Sequence, residues 1–271
     1  HLCKAHFIAD FESKAKRAIR NHRWIKPKDR IAVALSGGKN SSALLYFLKK
    51  ILGTRRDVRL SAIFIDEGTK GNRDCHVAAN IADAIGVELI TGSFEEVFGK
   101  TIVKVVMEKG DRFSCTFCRV LRGKCLNRIA HDHDMTKLAL AINLDDEAQN
   151  VLVNVFRGDP ERLLKPADTL AEIVPIIRPF LPIPAREVAL YAYLHVEGFE
   201  IRQCPHSHNA LINDVHSLLN DYTWRHPSTK YAIVNLSEQL VSYGFMPGTH
   251  ADICPVRGES DLSEYRPCRM L

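Results

Sequence analysis

The sequence predicts an α/β fold built on a doubly wound, mostly parallel sheet. Short β-rich apolar runs alternate with helical segments from Ile31 to Phe156, the pattern of successive βαβ units. Two polar turns, "SGGKN" (Ser36–Asn40) and "NLDDE" (Asn143–Glu147), directly follow such runs, where a parallel sheet presents its ligand site. The chain has 271 residues, 46% hydrophobic and 25% charged, enough for a sizeable core and one or two domains.

Residues 1–24 read as a short Cys/His segment leading into a basic helix. "IAVAL" (31–35) is a buried strand ended by a Gly-rich turn, and residues 41–52 are a helix. Residues 59–66 form a second strand, 73–85 a helix and 87–91 a third strand. A helical region carrying Cys115 and Cys118 runs to residue 132. A fourth strand covers 137–142 and a helix 144–156. Residues 157–184 are Pro-rich and read as an irregular surface connection. A helix over 185–198 is stopped by Gly198, "CPHSHN" follows, and two helical stretches reach residue 243. The expected division is 1–24, a catalytic domain over 25–200, a helical part over 201–244, and a Gly/Pro/Cys-rich tail over 245–271.

No apolar run approaches the ~20 residues that span a bilayer, and no signal peptide is visible, so a cytoplasmic protein without a membrane partner is expected. A start without Met is expected of a fragment. The formal net charge is +5. The excess gathers in "KAKRAIRNHRWIKPKDR" (Lys14–Arg30), which reads either as a solvated helix face or as an RNA contact. Without a secretory signal, the eight cysteines point to metal ligands or reactive thiols rather than disulfides.

A Gly-Gly turn keeps side chains away from backbone N–H groups, and the next helix adds unsatisfied donors and a positive dipole end. Ser36, Ser41 and Ser42 add hydroxyls and Lys39 adds charge. The bland alternative is a capped turn with no ligand. The pattern is neither Walker A nor a dinucleotide fingerprint. "SGGKNS" resembles the SGGKDS signature of the PP-loop ATP pyrophosphatases. The resemblance implies that Ser36, Gly37, Gly38, Lys39 and Ser41, entered through Leu35, hold the pyrophosphate end of ATP. It places Phe64–Asp66, with Ile65, near the adenosine, and adds Ala141 and Asp146 to the nucleotide site.

"CTFCRVLRGKC" (Cys115–Cys125), "NLDDEAQNVLVNVFRGD" (Asn143–Asp159) and "CPHS" (Cys204–Ser207) follow in order. Together with the loop they resemble the tRNA 2-thiouridine synthetases, in the archaeal and eukaryotic cytosolic wobble-uridine branch. Three thiolates from Cys115, Cys118 and Cys204 can hold a [4Fe-4S] cluster with one iron open to hydrosulfide. The alternative is a set of scattered buried thiols, to which Cys75 and Cys125 are assigned. Asp145 and Asp146 either cap a helix or position Mg2+ and phosphate, with Asp146 favoured by the resemblance. Arg122 matches a basic position of the family that neutralises phosphate or steers RNA. "LCKAHF" resembles half of an N-terminal zinc knuckle, with Cys3 and His6 as two Zn2+ ligands and the other half upstream. The tail resembles a second knuckle in which Cys254 and Cys268 remain, while Arg257 and Leu271 stand at the other two ligand positions.

The chain departs from the family pattern at Asn40, where an acid is usual, at Ala141-Ile142, and at Arg119. The resemblance implies ATP, Mg2+, tRNA, a ubiquitin-like sulfur carrier or free sulfide, and a homodimer. Two other readings stay open: a cluster-free PP-loop amide or amine ligase, and a non-catalytic tRNA-binding relative.

Overall fold

A computed structural model describes residues 2–68, 74–109, 114–164, 174–200 and 210–244. The elements run α1 (Lys4–Asn21), β1 (Arg30–Ala34), α2 (Lys39–Leu52), β2 (Arg59–Asp66), α3 (Cys75–Ile85), β3 (Glu88–Ser93), α4 (Phe94–Phe98), α5 (Ile102–Lys109), α6 (Ser114–Asp132), β4 (Lys137–Ala139), α7 (Leu144–Phe156), α8 (Pro160–Leu164), β5 (Ile176–Ile177), α9 (Ala185–His195), α10 (Ala210–Arg225) and α11 (Thr229–Gly244). The strands pair in parallel in the order β3-β2-β1-β4-β5.

Both sheet faces are covered, which is why the central strands read as continuous apolar runs rather than alternating ones. Ile31 and Val33 of β1 and Ala62 and Phe64 of β2 enter one core, shared with α1, α2, α3 and α9. Their neighbours Ala32, Ile63 and Ile65 enter the opposite core, under α4, α5 and α6. A third cluster joins Leu144, Ala148 and Val153 of α7 to Val215 and Leu219 of α10 and Val234 of α11.

The helix expected as a separate basic segment is built into the first core. Phe7, Phe11, Ala15 and Ile19 line its inner face, and Phe11 stacks on Tyr191 of α9 at 4.1 Å between ring centroids. Buried Glu12 binds Lys16, Lys50 and the Tyr191 hydroxyl. The fourth strand is shorter than the expected 137–142 span. After Leu140 donates to the Ile177 carbonyl (3.0 Å), the chain leaves the sheet to reach the start of α7. The connection expected to be irregular contains α8 and the edge strand β5. The helix expected over 185–198 ends at His195, because Val196 is already extended (φ −126°, ψ 130°). No helix among the described residues is long and apolar enough to cross a membrane.

Candidate functional site

The glycine turn joins β1 to α2. Leu35 N–H donates to the Ile63 carbonyl (2.8 Å), so its backbone prolongs β1 while its side chain, 1% exposed, packs in the core. Gly37 is left-handed (φ +75°), and a Cβ there would meet Val77 Cγ1 at 3.1 Å. Gly38 is the N-cap of α2 and supplies no side-chain cap. The first N–H groups of α2 therefore lack both an intrahelical acceptor and a side-chain cap, at the positive end of its dipole. The serines brace the turn from within. Ser36 N–H donates to Ser41 Oγ (3.1 Å), and the Ser41 and Ser42 hydroxyls donate to the Gly38 carbonyl (3.0 and 2.9 Å). Glu200 N–H donates to the Gly37 carbonyl (3.0 Å). Lys39 opens the helix, and the Asn40 side-chain oxygen is buried without a hydrogen-bond partner. A glycine cradle, open amides and a cation fit a polyphosphate.

The acidic turn lies beyond β4, at the same carboxyl edge of the sheet. Asn143 Oδ1 accepts the N–H groups of Asp145 (2.9 Å) and Asp146 (3.1 Å), and Asp146 Oδ2 accepts Asn143 N–H (3.1 Å), closing a capping box. The two acids part in role. Asp145 accepts the Ala185 N–H that starts α9 (2.7 Å) and the Lys230 ammonium of α11, so it fastens three helices. Asp146 is open to solvent. Crowding by protein raises its pKa, opposed by the Asn143 N–H and reinforced by Asp145 and Glu147. A solvent-accessible carboxylate flanked by two further acids is suited to a hard cation.

On α6, Cys118 is half-buried and accepts a hydrogen bond from Arg122 Nη2 (3.2 Å). Arg122 Nε donates to Glu67, a carboxylate 1% exposed just past β2. Burial works to lower the Arg122 pKa, but Glu67 and Cys118 outweigh it and hold the guanidinium charged. That setting favours a thiolate, the form that ligates iron. Glu67 was not among the expected site residues; its one sequence signal is an acid directly beyond the second strand. Arg119 donates to Asn150 (3.1 Å), bridging α6 to α7.

Cys115 lies three residues before Cys118 in the opening turns of α6. Cys204, Cys254 and Cys268 lie outside the described residues. Cys125 is fully buried, its thiol turned to the Ser93 carbonyl and its pKa pushed up to about 12 by burial, as suits an inert core thiol. Cys75, expected to be buried like Cys125, is instead exposed at the start of α3, where burial and the charges of Asp66 and Asp74 raise its pKa. The Ile65 side chain is core, so only its backbone can reach a nucleotide; Ala141 packs partly against the other core. Cys3 Sγ and His6 Nδ1 are exposed and 3.1 Å apart, close to the ~3.5 Å that tetrahedral Zn–S and Zn–N bonds would set. The pair fits half of a zinc site.

A parallel sheet that ends in an uncapped glycine turn and an acidic capping box defines an ATP-binding α/β protein of PP-loop type. A family model described as a PP-loop domain matches residues 8–203. The tRNA 2-thiolation protein NcsA of Haloferax volcanii is 34% identical over 262 residues, covering 89% of this chain and 81% of the relative. Cytoplasmic tRNA 2-thiolation protein 1 of Anopheles gambiae is 30% identical over 277 residues, covering 99% and 80%. The structure of the U34-tRNA thiolase NcsA from Methanococcus maripaludis with its [4Fe-4S] cluster superposes with a TM-score of 0.81 at 29% identity, covering 90% of this chain and 81% of that one. The chain belongs to the PP-loop family, within its group of tRNA 2-thiolation proteins.

Proposed function

We propose that this chain uses ATP to convert a tRNA uridine, at the wobble position, into 2-thiouridine. The uridine 2-oxygen attacks the α-phosphorus of ATP and pyrophosphate leaves. Sulfide sulfur then attacks carbon 2, and the carbon–oxygen bond to AMP breaks. The observation that carries this reading is the pairing of two features at one sheet edge. The open N-terminus of α2 follows β1, and the Cys118–Arg122–Glu67 constellation lies beyond β2.

The turn amides and Lys39 would bind the β- and γ-phosphates, which become pyrophosphate. Asp146 would hold Mg2+, leaving Asp145 to fix the helices. Arg122, anchored by Glu67, would keep the Cys118 sulfur anionic and ready to ligate. When bound through Cys115, Cys118 and Cys204, a [4Fe-4S] cluster would supply the iron that carries sulfide. Cys3 and His6 would contribute to a Zn2+ knuckle. The relatives' names support tRNA as substrate and a cytoplasmic location. A ubiquitin-like carrier or free sulfide as sulfur source and a homodimeric assembly complete the proposal. So do divisions at residues 200 and 244, with α1 joined to the catalytic core instead of standing apart at residue 24.

The test is anoxic incubation of the cluster-loaded protein with tRNA, ATP and sulfide. Nucleoside mass spectrometry should find 2-thiouridine equimolar with AMP. AMP without thiouridine would instead favour the ligase reading, and tRNA binding without AMP the non-catalytic one.

A further inference from the structure

The basic stretch of α1 and the loop after it lies away from the site just described. β1 starts beside it, so it sits at the amino edge of the sheet. The 14 residues of α2 separate it from the glycine turn by about 20 Å at 1.5 Å per residue. Here Arg20, Arg23 and Arg55 surround a groove of about 380 Å³ floored by Ile19, Ile51 and Leu52.

Three acids beside this groove are already engaged. Asp57 accepts both the Arg55 Nε and Nη2 donors (3.0 and 2.6 Å). Asp29 is buried and accepts the Lys26 N–H (2.7 Å) and the Thr136 hydroxyl (2.8 Å). Asp134 pairs with Arg30. Arg20, Arg23, Lys26, Lys28, Arg56 and Arg59 are exposed and have no ion-pair partner among the described residues.

The backbone adds a second, independent observation. Arg23 (φ +50°) and Lys28 (φ +67°) both adopt the left-handed conformation, which favours glycine and penalises a side chain. Arg23 ends α1 in that conformation, with Arg23 N–H donating to the Arg20 carbonyl and Trp24 N–H to the Ile19 carbonyl (both 3.1 Å). Two cations therefore occupy positions where glycine would be the less strained choice. On either side of Arg23, His22 and Trp24 stack at 4.4 Å and 12°, offering a flat aromatic surface beside the charges.

We infer that this edge is a docking surface for the phosphodiester backbone of a helical arm of the tRNA, engaged while the reactive base occupies the opposite edge. The inference rests on the tRNA reading above. Unpaired guanidiniums and ammoniums spread over one surface suit a phosphate backbone, which is bound by charge and position rather than by sequence.

The test compares full-length parent and Arg20→Glu/Arg23→Glu protein for tRNA affinity across a salt series, with ATP binding as the folding control. The double variant should bind tRNA at least tenfold more weakly. Its slope of log affinity against log salt should fall by about two, with ATP binding unchanged. Arg23→Gly should weaken tRNA binding severalfold while its thermal midpoint stays level or rises, an outcome a merely structural arginine would not give. Parent-like affinity and salt slope in the double variant would overturn the inference. If that variant had also lost an acidic protein partner, the edge would belong to protein instead. A parent that binds no tRNA would overturn the thiolation reading as well.

Discussion

Gly37→Ala puts the phosphate-loop account under direct strain. At φ +75° the alanine would sit in the left-handed region, costing about 1–2 kcal/mol. Its Cβ would also stand 3.1 Å from Val77 Cγ1, so Val77 of α3 must give way by a few tenths of an ångström. Val77 is only half-buried, so this steric part should stay below about 1 kcal/mol. At roughly 2–4 °C per kcal/mol for a chain of this size, the combined cost of about 1–3 kcal/mol should lower the thermal midpoint by about 2–12 °C. ATP affinity should fall with it, because the Gly37 carbonyl is tied to Glu200 N–H and the next amides are the ones proposed to bind the phosphates. Differential scanning fluorimetry with and without ATP reads both effects. Adding Val77→Ala should recover only the steric part, and the double-mutant comparison isolates it. A Gly37→Ala protein with parent-like midpoint and ATP affinity would refute the assigned role of the turn.

Asn40→Asp places an acid at a side chain whose oxygen is buried and unpartnered. AMP formation should rise on the order of tenfold, equivalent to about 1.4 kcal/mol of transition-state stabilisation, and no gain would count against a role for that position. Asp145→Ala should cost about 2–4 kcal/mol in urea denaturation, because it removes a helix cap and one partner of a largely buried Lys230. Asp146→Asn should leave stability nearly unchanged and suppress Mg2+-dependent AMP formation. The Cys125 thiol stays protonated in the fold up to about pH 12 and ionises near 8.5 when unfolded. Its contribution to stability is therefore whole below the unfolded pKa and is lost as pH rises toward 12. Cys125→Ala should flatten the alkaline limb of a stability–pH profile without changing iron content.

Much of the fold is local and was therefore legible in the sequence. The α7 boundaries follow from Asn143 capping an apolar-periodic run, and β2 from eight residues of apolar, β-rich sequence ended by an acid. The apolar spacing of Phe7, Phe11, Ala15 and Ile19 encodes the burial of α1, but the surrounding arginines and lysines drew the reading outward. The two-residue strand β5 left no signal, since its pairing with β4 is set by the sheet and not by its own sequence. The glycine turn and the capping acids could be located from spacing. Glu67 could not, because its partner Arg122 lies 55 residues away. The division of labour between Asp145 and Asp146 likewise depends on Ala185 and Lys230, 40 and 85 residues away.

The most direct test of the central claim is iron and labile sulfide per chain after anoxic reconstitution, in parent and in Cys118→Ala protein. A stoichiometric cubane is expected in the parent and its loss in the variant. A parent that takes up no cluster would contradict the sulfur-transfer chemistry proposed for Cys115, Cys118 and Cys204.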